Sequence, residues 1–352
     1  MPDAPTPSAA PAAAPPRPLR VAPLGIGAAL PEAIVTSAEI EQRLGLEPDW
    51  LVSRTHIKQR HILADDEKLT DFALLAAERA LADAGIDGAE VDLVIGACLI
   101  SDDIAPSMAA VVSSRLGAGH AASFDVSSGC SGFVASVATA TAMIESGRFR
   151  TVLVVAAEAM SRLTNRSDKA TAGLLGDGAG AIVLQGTDSE GVGRVGRSVM
   201  GSDGANGGTV RVATEHPSIY DDGEFGAGIP FAVQMNGFDT YKTAVKHFEE
   251  TVRETAAVEG LELDDIDLIV LHQANGRILE AVRKRLKLPA ERMASSVETH
   301  GNTSAASVAL ALADARADGR VVPGTRLLLA GFGSGLAWAG ITMIWEGPAN
   351  GR

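Results

Sequence analysis

The stretch GCSGFVASVATATAMIESGRFRTVLVVAAE, residues 129–158, contains a glycine-flanked cysteine, a helix of small residues and a strand of apolar residues. Residues 301–332, GNTSAASVALALADARADGRVVPGTRLLLAGF, follow the same order: a glycine, a polar residue, a small-residue helix, a Gly-Arg pair and an apolar strand. Cys130 and Asn302 occupy equivalent places in the two stretches. Self-similarity of this length predicts that the chain uses one α/β unit twice.

A second pair of segments supports the duplication. Residues 73–97 and 244–271 both give a helical period, a glycine, a short acidic loop and an apolar run. Continuous apolar runs are typical of strands covered by helices on both faces. We therefore predict two α/β halves, residues 20–190 and 195–352. Residues 1–19 are rich in Pro and Ala, and we expect them to be a disordered leader.

Composition limits the classes of function. The chain has 352 residues, a formal net charge of −14 and two cysteines, Cys98 and Cys130, which make no disulfide framework. The lack of a disulfide framework suits a reducing compartment, so we expect a cytoplasmic protein. We also expect it to bind neither nucleic acid nor membrane, because the negative net charge disfavours both. Leu327 to Trp345 is uncharged and long enough to span a bilayer. Its central GFGSG favours two buried strands joined by a glycine turn.

Cys130 is the candidate nucleophile. At a helix N-terminus, unpaired backbone N–H groups and the helix dipole favour the thiolate. Gly129 and Gly132 would allow a sharp turn and a close approach of substrate. The alternative is a buried, inert cysteine in a small-residue helix, and for Cys98, which lies in an apolar strand, that alternative is favoured.

Polar residues end matching elements of the second half. His272 and Asn275 follow the strand IDLIVL, and Asn302 precedes the second small-residue helix. Histidine and asparagine beside a cysteine either orient a base in hydrolysis or donate hydrogen bonds to a developing oxyanion. GDGAG (176–180) and GFGSG (331–335) do not match a dinucleotide-binding motif, and we predict that they form tight turns around the core.

Five segments together resemble one known family. SSGCSGF, LLGDGAGAIVL, HQANGRI, HGNTSAAS and GFGSGLAWAG occur in the order and near the spacing of the beta-ketoacyl-acyl-carrier-protein synthase III family. The likeness runs from about Arg20 to Trp345. It implies a thiolase-like fold, with two duplicated βαβ-rich halves in five αβαβα layers, and a homodimeric acyltransferase.

The resemblance also implies a reaction. Cys130 would take a primer acyl group from acyl-coenzyme A, and malonyl on acyl carrier protein would lose CO2 and attack the resulting thioester. His272 and Asn302 would bind the enolate oxygen, while the backbone N–H groups of Cys130 and Ser334 would hold the second oxyanion. The 3-ketoacyl product would initiate fatty-acid or polyketide chains. No metal or other cofactor is expected, and acyl-coenzyme A is a substrate.

Other positions carry over from the family as substrate contacts. EPDWLVSRTHI (47–57) places Trp50 and Arg54 beside the adenine and phosphates of coenzyme A, and Asn275 is a further candidate. Lys169 stands where the family usually has an arginine, which keeps the charge but loses the planar stacking face. Ala105 stands where relatives often have a bulky residue that limits the partner subunit's primer channel, and it predicts a roomier channel.

A basic segment predicts a docking surface. RILEAVRKRLK, Arg277 to Lys287, has five basic residues and one acid on an acidic chain. On a helix, Arg277 and Lys284 share one face, and Arg283 and Lys287 share a neighbouring face. Acyl carrier proteins are acidic, so we expect this segment to dock one. An ordinary solvated helix face is the alternative.

Two other functions remain open from the residues. The first is a non-catalytic partner subunit of the same fold. Such subunits usually lack the cysteine, so the presence of Cys130 argues against this function. A related acyltransferase that passes the acyl group to an alcohol or amine usually changes the asparagine, and Asn302 is retained.

Overall fold

The computed structural model describes residues 19–188, 191–223 and 228–348. The predicted leader, apart from Leu19, lies outside the described residues. In chain order the strands are β1 (Arg20–Ala29), β2 (Ile34–Thr36), β3 (Gln59–His61), β4 (Leu93–Ala97), β5 (Ala122–Val126), β6 (Thr151–Ala159), β7 (Asp177–Thr187), β8 (Arg194–Ser202), β9 (Val210–Val212), β10 (Val233–Met235), β11 (Leu268–Leu271), β12 (Arg326–Gly333) and β13 (Ala337–Ile344). The helices are α1 (Ser37–Leu44), α2 (Val52–Thr55), α3 (Leu69–Ala84), α4 (Met108–Arg115), α5 (Gly132–Glu145), α6 (Gly237–Val258), α7 (Gly276–Leu286), α8 (Val297–His300) and α9 (Ala306–Ala317).

Two mixed sheets carry the duplication. The first has the strand order β1-β7-β6-β4-β5, and the second, read in the same direction, has the order β8-β13-β12-β11. In both sheets the first three strands are antiparallel neighbours and the third and fourth are parallel. The β4, β6 and β11 strands are buried along their whole length, as their continuous apolar runs predicted. The duplicated α/β architecture is confirmed.

The helices form three layers around these sheets. α5 and α9 contact strands of both sheets and lie between them, whereas α3 and α4 cover the outer face of the first sheet. α6 covers the outer face of the second sheet with α7 packed beside it. Ala, Ser, Thr and Gly make up most of α5 and α9, so the two sheets approach closely across the central layer. The result is the predicted αβαβα arrangement.

One predicted turn is wrong. GDGAG does not form a tight turn, because Asp177 begins β7, which pairs with β1 and β6. Glycine is required at position 180 for packing, since a Cβ there would lie 2.5 Å from the Cβ of Ala309 in α9. The glycines that suggested a turn therefore mark a close contact between strand and helix.

The uncharged stretch near the C-terminus is part of the core. β12 and β13 pair antiparallel through it and are joined by a turn over residues 334–336. This confirms the prediction of two buried strands. Within the residues that the structure describes, no helix is long and apolar enough to cross a membrane.

Candidate active site

Cys130 lies in a single turn of 3-10 helix, Gly129–Ser131, that leads directly into α5. Gly129 has φ +49°, and a Cβ there would lie 2.4 Å from the Ser334 Oγ, so both the backbone conformation and the space require glycine. A Cβ at Gly333 would lie 2.8 Å from the Cys130 Sγ. The thiol is therefore held against the turn that joins β12 to β13.

Burial dominates the acidity of this thiol. Burial, and to a smaller extent the Glu158 carboxylate, raise the pKa of Cys130 to about 11. Hydrogen bonds from the Ser304 hydroxyl and from the backbone N–H groups of Ser334 and Cys130 act in the opposite direction. The backbone N–H groups thus favour the thiolate, as predicted, but burial outweighs them and leaves a neutral thiol at physiological pH. These N–H groups, of Cys130 and Ser334, are the two that the sequence predicts as donors to an oxyanion.

His272 follows β11 and is almost completely buried, 1% exposed. Its backbone N–H donates to the Ala330 carbonyl, and its Nδ1 lies 2.6 Å from the Ser307 Oγ. Burial lowers the pKa of His272 to about 3, and a hydrogen bond with the Ser304 backbone opposes the shift. The ring is consequently a neutral imidazole at physiological pH, and it can donate one hydrogen bond without carrying charge.

Asn302 is fixed by both its backbone and its side chain. Its N–H donates to the Leu174 carbonyl, and its own carbonyl accepts from the Gly176 N–H. The side-chain Oδ1 accepts from the Ser304 N–H at 2.9 Å, and Nδ2 donates to the Ala274 carbonyl at 3.3 Å. An amide nitrogen carries two hydrogens, so one donor remains for a ligand.

One cavity of about 500 Å³ unites these groups. Cys130, His272 and Asn302 all line it, together with Ser334 and with apolar side chains such as Leu174 and Phe332. A cavity that is mostly apolar, with a few converging polar groups, is typical of a small-molecule site. The three residues predicted to do chemistry are thus brought together.

The predicted coenzyme A contacts line the same cavity: Trp50, Arg54, Lys169 and Asn275. Arg54 and Lys169 are exposed, so they lie where the cavity opens to solvent. The Arg54 guanidinium stacks on Trp50, 4.2 Å from the ring centroid. Asn275 caps α7 by accepting from the Arg277 N–H, a structural task that its sequence position did not reveal.

The basic helix is confirmed, but its charges are not all free. Arg283 and Lys284 both pair with Glu280, at 2.8 and 3.2 Å. α7 ends at Leu286, so Lys287 lies beyond it in a left-handed conformation. The prediction that Arg283 and Lys287 share a helical face is therefore wrong. Across the described residues, no carboxylate lies within ion-pair distance of Arg277 or Lys287. Arg277 also lines the cavity.

Sequence reasoning missed two residues that act on the thiol, Glu158 and Ser304, and a third, Ser307, beside His272. Glu158 is 1% exposed and lies at the end of β6, and its carboxylate accepts from the Leu99 N–H at 3.1 Å. Ser304 Oγ lies 3.6 Å from the Cys130 Sγ. The sequence signal for Glu158 was a carboxylate near the C-terminal end of an otherwise apolar strand. Active-site residues commonly lie at the C-terminal ends of such strands.

A duplicated five-layer α/β fold that brings a cysteine, a histidine and an asparagine to one apolar cavity defines a thiolase-like acyltransferase. Two family models match the chain: 3-oxoacyl-[acyl-carrier-protein (ACP)] synthase III over residues 124–204, and the C-terminal part of the same family over residues 256–345.

Whole-chain comparisons agree. The beta-ketoacyl-[acyl-carrier-protein] synthase III of Ehrlichia canis is 42% identical over 90% of this chain and 96% of that protein. The solved structure of the Thermus thermophilus synthase III matches with a TM-score of 0.86 and 39% identity, over 92% of this chain and 99% of that one. The priming beta-ketosynthase of the R1128 polyketide pathway matches with a TM-score of 0.86 and 34% identity, over 95% of this chain and 98% of that one. The chain belongs to the beta-ketoacyl-[acyl-carrier-protein] synthase III family.

Proposed function

We propose that this protein catalyses the decarboxylative Claisen condensation of an acyl primer with malonyl-acyl carrier protein and so initiates fatty-acid or polyketide chains. The observation that carries the proposal is the convergence of Cys130, His272 and Asn302 on one apolar cavity. Relatives that match almost the whole chain bear the name of this activity.

Acylation of Cys130 is the first step. The sulfur attacks the carbonyl carbon of the acyl-coenzyme A thioester, and the bond from that carbon to the coenzyme A sulfur then breaks. Negative charge develops on the carbonyl oxygen, and the backbone N–H groups of Cys130 and Ser334 stabilise it. Both act on the sulfur in this structure, so they lie near the carbon that the sulfur attacks.

Decarboxylation is the second step. The bond between the malonyl α-carbon and its carboxylate breaks, CO2 leaves, and the electron pair moves onto the thioester oxygen as an enolate. Asn302 retains one amide hydrogen for that oxygen. We assign the single N–H of neutral His272 to Nε2, with Nδ1 accepting from the Ser307 hydroxyl, so that His272 donates to the same oxygen. The enolate carbon then attacks the acyl-cysteine, and the Cys130 sulfur leaves. No metal or redox cofactor is needed, because every electron pair stays within the two substrates and the sulfur.

Coenzyme A binding rests on the exposed end of the cavity. We place the adenine on Trp50, where it displaces the Arg54 guanidinium from the indole face. Lys169 then binds a phosphate as a point charge. The Asn275 Nδ2 donates to the Arg54 carbonyl at 3.4 Å and so ties α7 to this segment.

The partners follow from the same scheme. Acyl carrier protein delivers malonyl, with α7 as its docking surface. A homodimer in the cytoplasm is the assembly that we expect. Ala105 is exposed and does not line the cavity of its own chain, in keeping with a role at the partner's primer channel.

The nucleophile is tested by mass spectrometry after incubation with a panel of acyl-coenzyme A esters. Wild-type protein should gain the mass of one acyl group. Cys130→Ala should gain none, because its side chain has no sulfur to attack. Cys98→Ala is the matched control and should be acylated normally. Acylation that persists in Cys130→Ala would contradict the assignment.

A further inference from the structure

Glu158 is a buried carboxylate whose charge acts on the Cys130 thiol. Glu158 Oε2 accepts from the Leu99 N–H at 3.1 Å, and Oε1 accepts from the Ala305 N–H at 3.4 Å. In the described part of the chain, no lysine or arginine lies within ion-pair distance of Glu158. Burying a carboxylate without a cation costs free energy, and such groups are concentrated at functional sites.

Ser304 connects this carboxylate to the thiol. Its Oγ lies 3.6 Å from the Cys130 Sγ and also hydrogen-bonds the Glu158 carboxylate. Ser304 is 2% exposed and has φ +47°, an uncommon conformation for a residue with a side chain. The Asn302 Oδ1 accepts from its backbone N–H and holds it there. One hydroxyl thus lies within reach of both groups, and rotation about its Cβ–Oγ bond turns its single hydrogen from the Cys130 sulfur to the Glu158 carboxylate.

The thiol needs a proton acceptor. Burial raises the pKa of Cys130 to about 11, so the free enzyme carries a neutral thiol at physiological pH. His272, with a pKa of about 3, binds a proton too weakly to be an effective base there. Burial raises the pKa of Glu158 to about 7, which is well placed for a base acting at neutral pH.

We propose that Ser304 and Glu158 form a proton relay that deprotonates Cys130 as it is acylated. The thiol proton moves to the Ser304 Oγ while the serine hydroxyl proton moves to Glu158. The sulfur bonds to the thioester carbonyl carbon, and the bond from that carbon to the coenzyme A sulfur breaks. The departing thiolate takes a proton back from Glu158 through Ser304, so atoms and charge balance and the net charge of the buried site never changes.

Other titratable groups face Glu158. Asp177 on β7 raises the pKa of Glu158, and Cys98 after β4 has its own pKa raised well above the ordinary value, by burial and then by Glu158. Cys98 therefore stays neutral over the range in which the relay works. Asp177 accepts from the Leu63 N–H and from Ser161, so it is occupied by other donors.

The test is the pH dependence of single-turnover acylation of Cys130, followed by intact mass from pH 5 to 10. In wild-type protein the rate should rise as Glu158 ionises and level off above about pH 7. Glu158→Gln should lose about a hundredfold near pH 7, a typical contribution of a positioned base. Its rate should then rise steadily toward the pKa of the thiol, so the difference shrinks at high pH. Ser304→Ala should behave in the same way, and the double variant should lose no more than either single one.

Asp125→Asn is the matched control, because Asp125 also accepts from two backbone N–H groups, those of Met108 and Ala109, but does not contact the thiol. It should keep the wild-type profile. A Glu158→Gln variant that acylates faster than wild type at pH 7 would show that the carboxylate only raises the thiol pKa. An unchanged profile, or a lower rate with the same profile, would also overturn the relay.

The relay depends on the proposed acylation step, so a second acyl donor separates the two ideas. S-ethyl thioacetate has the same alkyl thioester chemistry as acyl-coenzyme A but none of its recognition groups. If wild-type protein accepts acyl from S-ethyl thioacetate and from no coenzyme A ester, the proposed donor is wrong. The pH profiles with S-ethyl thioacetate still decide the relay.

Discussion

His272 and Cys130 are both neutral at physiological pH, although they are the two side chains that could have formed a charged pair. Burial produces both shifts, lowering the pKa of the imidazole to about 3 and raising that of the thiol to about 11. A neutral imidazole suits a donor to an enolate, which needs a hydrogen bond where charge develops. A histidine that deprotonated the cysteine would need a pKa much closer to 7.

The pKa of His272 makes a prediction for decarboxylation. Since that pKa is lowered, the ring stays neutral from pH 8 down to well below 6.5, and its donor is unchanged over that range. We expect CO2 release by the acylated Glu158→Gln variant, in which the carboxylate that titrates near pH 7 is absent, to be flat from pH 5 to 8. An inflection near pH 6.5 that His272→Ala removes would contradict this.

The α7 helix presents its positive charge unevenly. Glu280 partly neutralises the charges of Arg283 and Lys284. Water reaches the side chains of both ion pairs, so each pair adds little to the stability of the fold. Arg277 lies at the start of the helix and lines the cavity, so among the basic residues of α7 it is the one that we expect to contribute most to docking of acyl carrier protein.

The docking surface is tested by reversing charge on one helix face. Arg277→Glu with Lys284→Glu should slow the reaction with malonyl-carrier protein more than acylation by acyl-coenzyme A, and the loss should shrink as salt rises, because salt screens encounter. Arg148→Glu, an exposed arginine outside α7, is the control and should change neither rate. Equal losses in both half-reactions would argue against docking at α7.

At the scale of the whole molecule, the duplicated architecture was predictable because the signals repeat. The two small-residue helices and the apolar strands recur in the same order, and Cys130, His272 and Asn302 lie at the corresponding ends. Contacts between distant parts of the chain were harder to predict from the sequence. The sequence predicts a turn at GDGAG because glycine serves both turns and close packing, and the pairing of β7 and the position of Ala309 decide between them. Glu158 was missed because a single carboxylate in an apolar strand does not reveal its neighbours.

The central claim is that His272 and Asn302 act on the enolate and not on Cys130. The most direct measurement supplies acyl-coenzyme A and malonyl-carrier protein labelled in the free carboxylate, and follows both Cys130 acylation and labelled CO2. Wild type should release one CO2 for each 3-ketoacyl product. His272→Ala and Asn302→Ala should each lose about a hundredfold or more in CO2 release, the usual cost of one oxyanion donor, while acylation changes far less. Acyl transfer to an added alcohol without CO2 release, or acylation abolished by His272→Ala, would contradict the account.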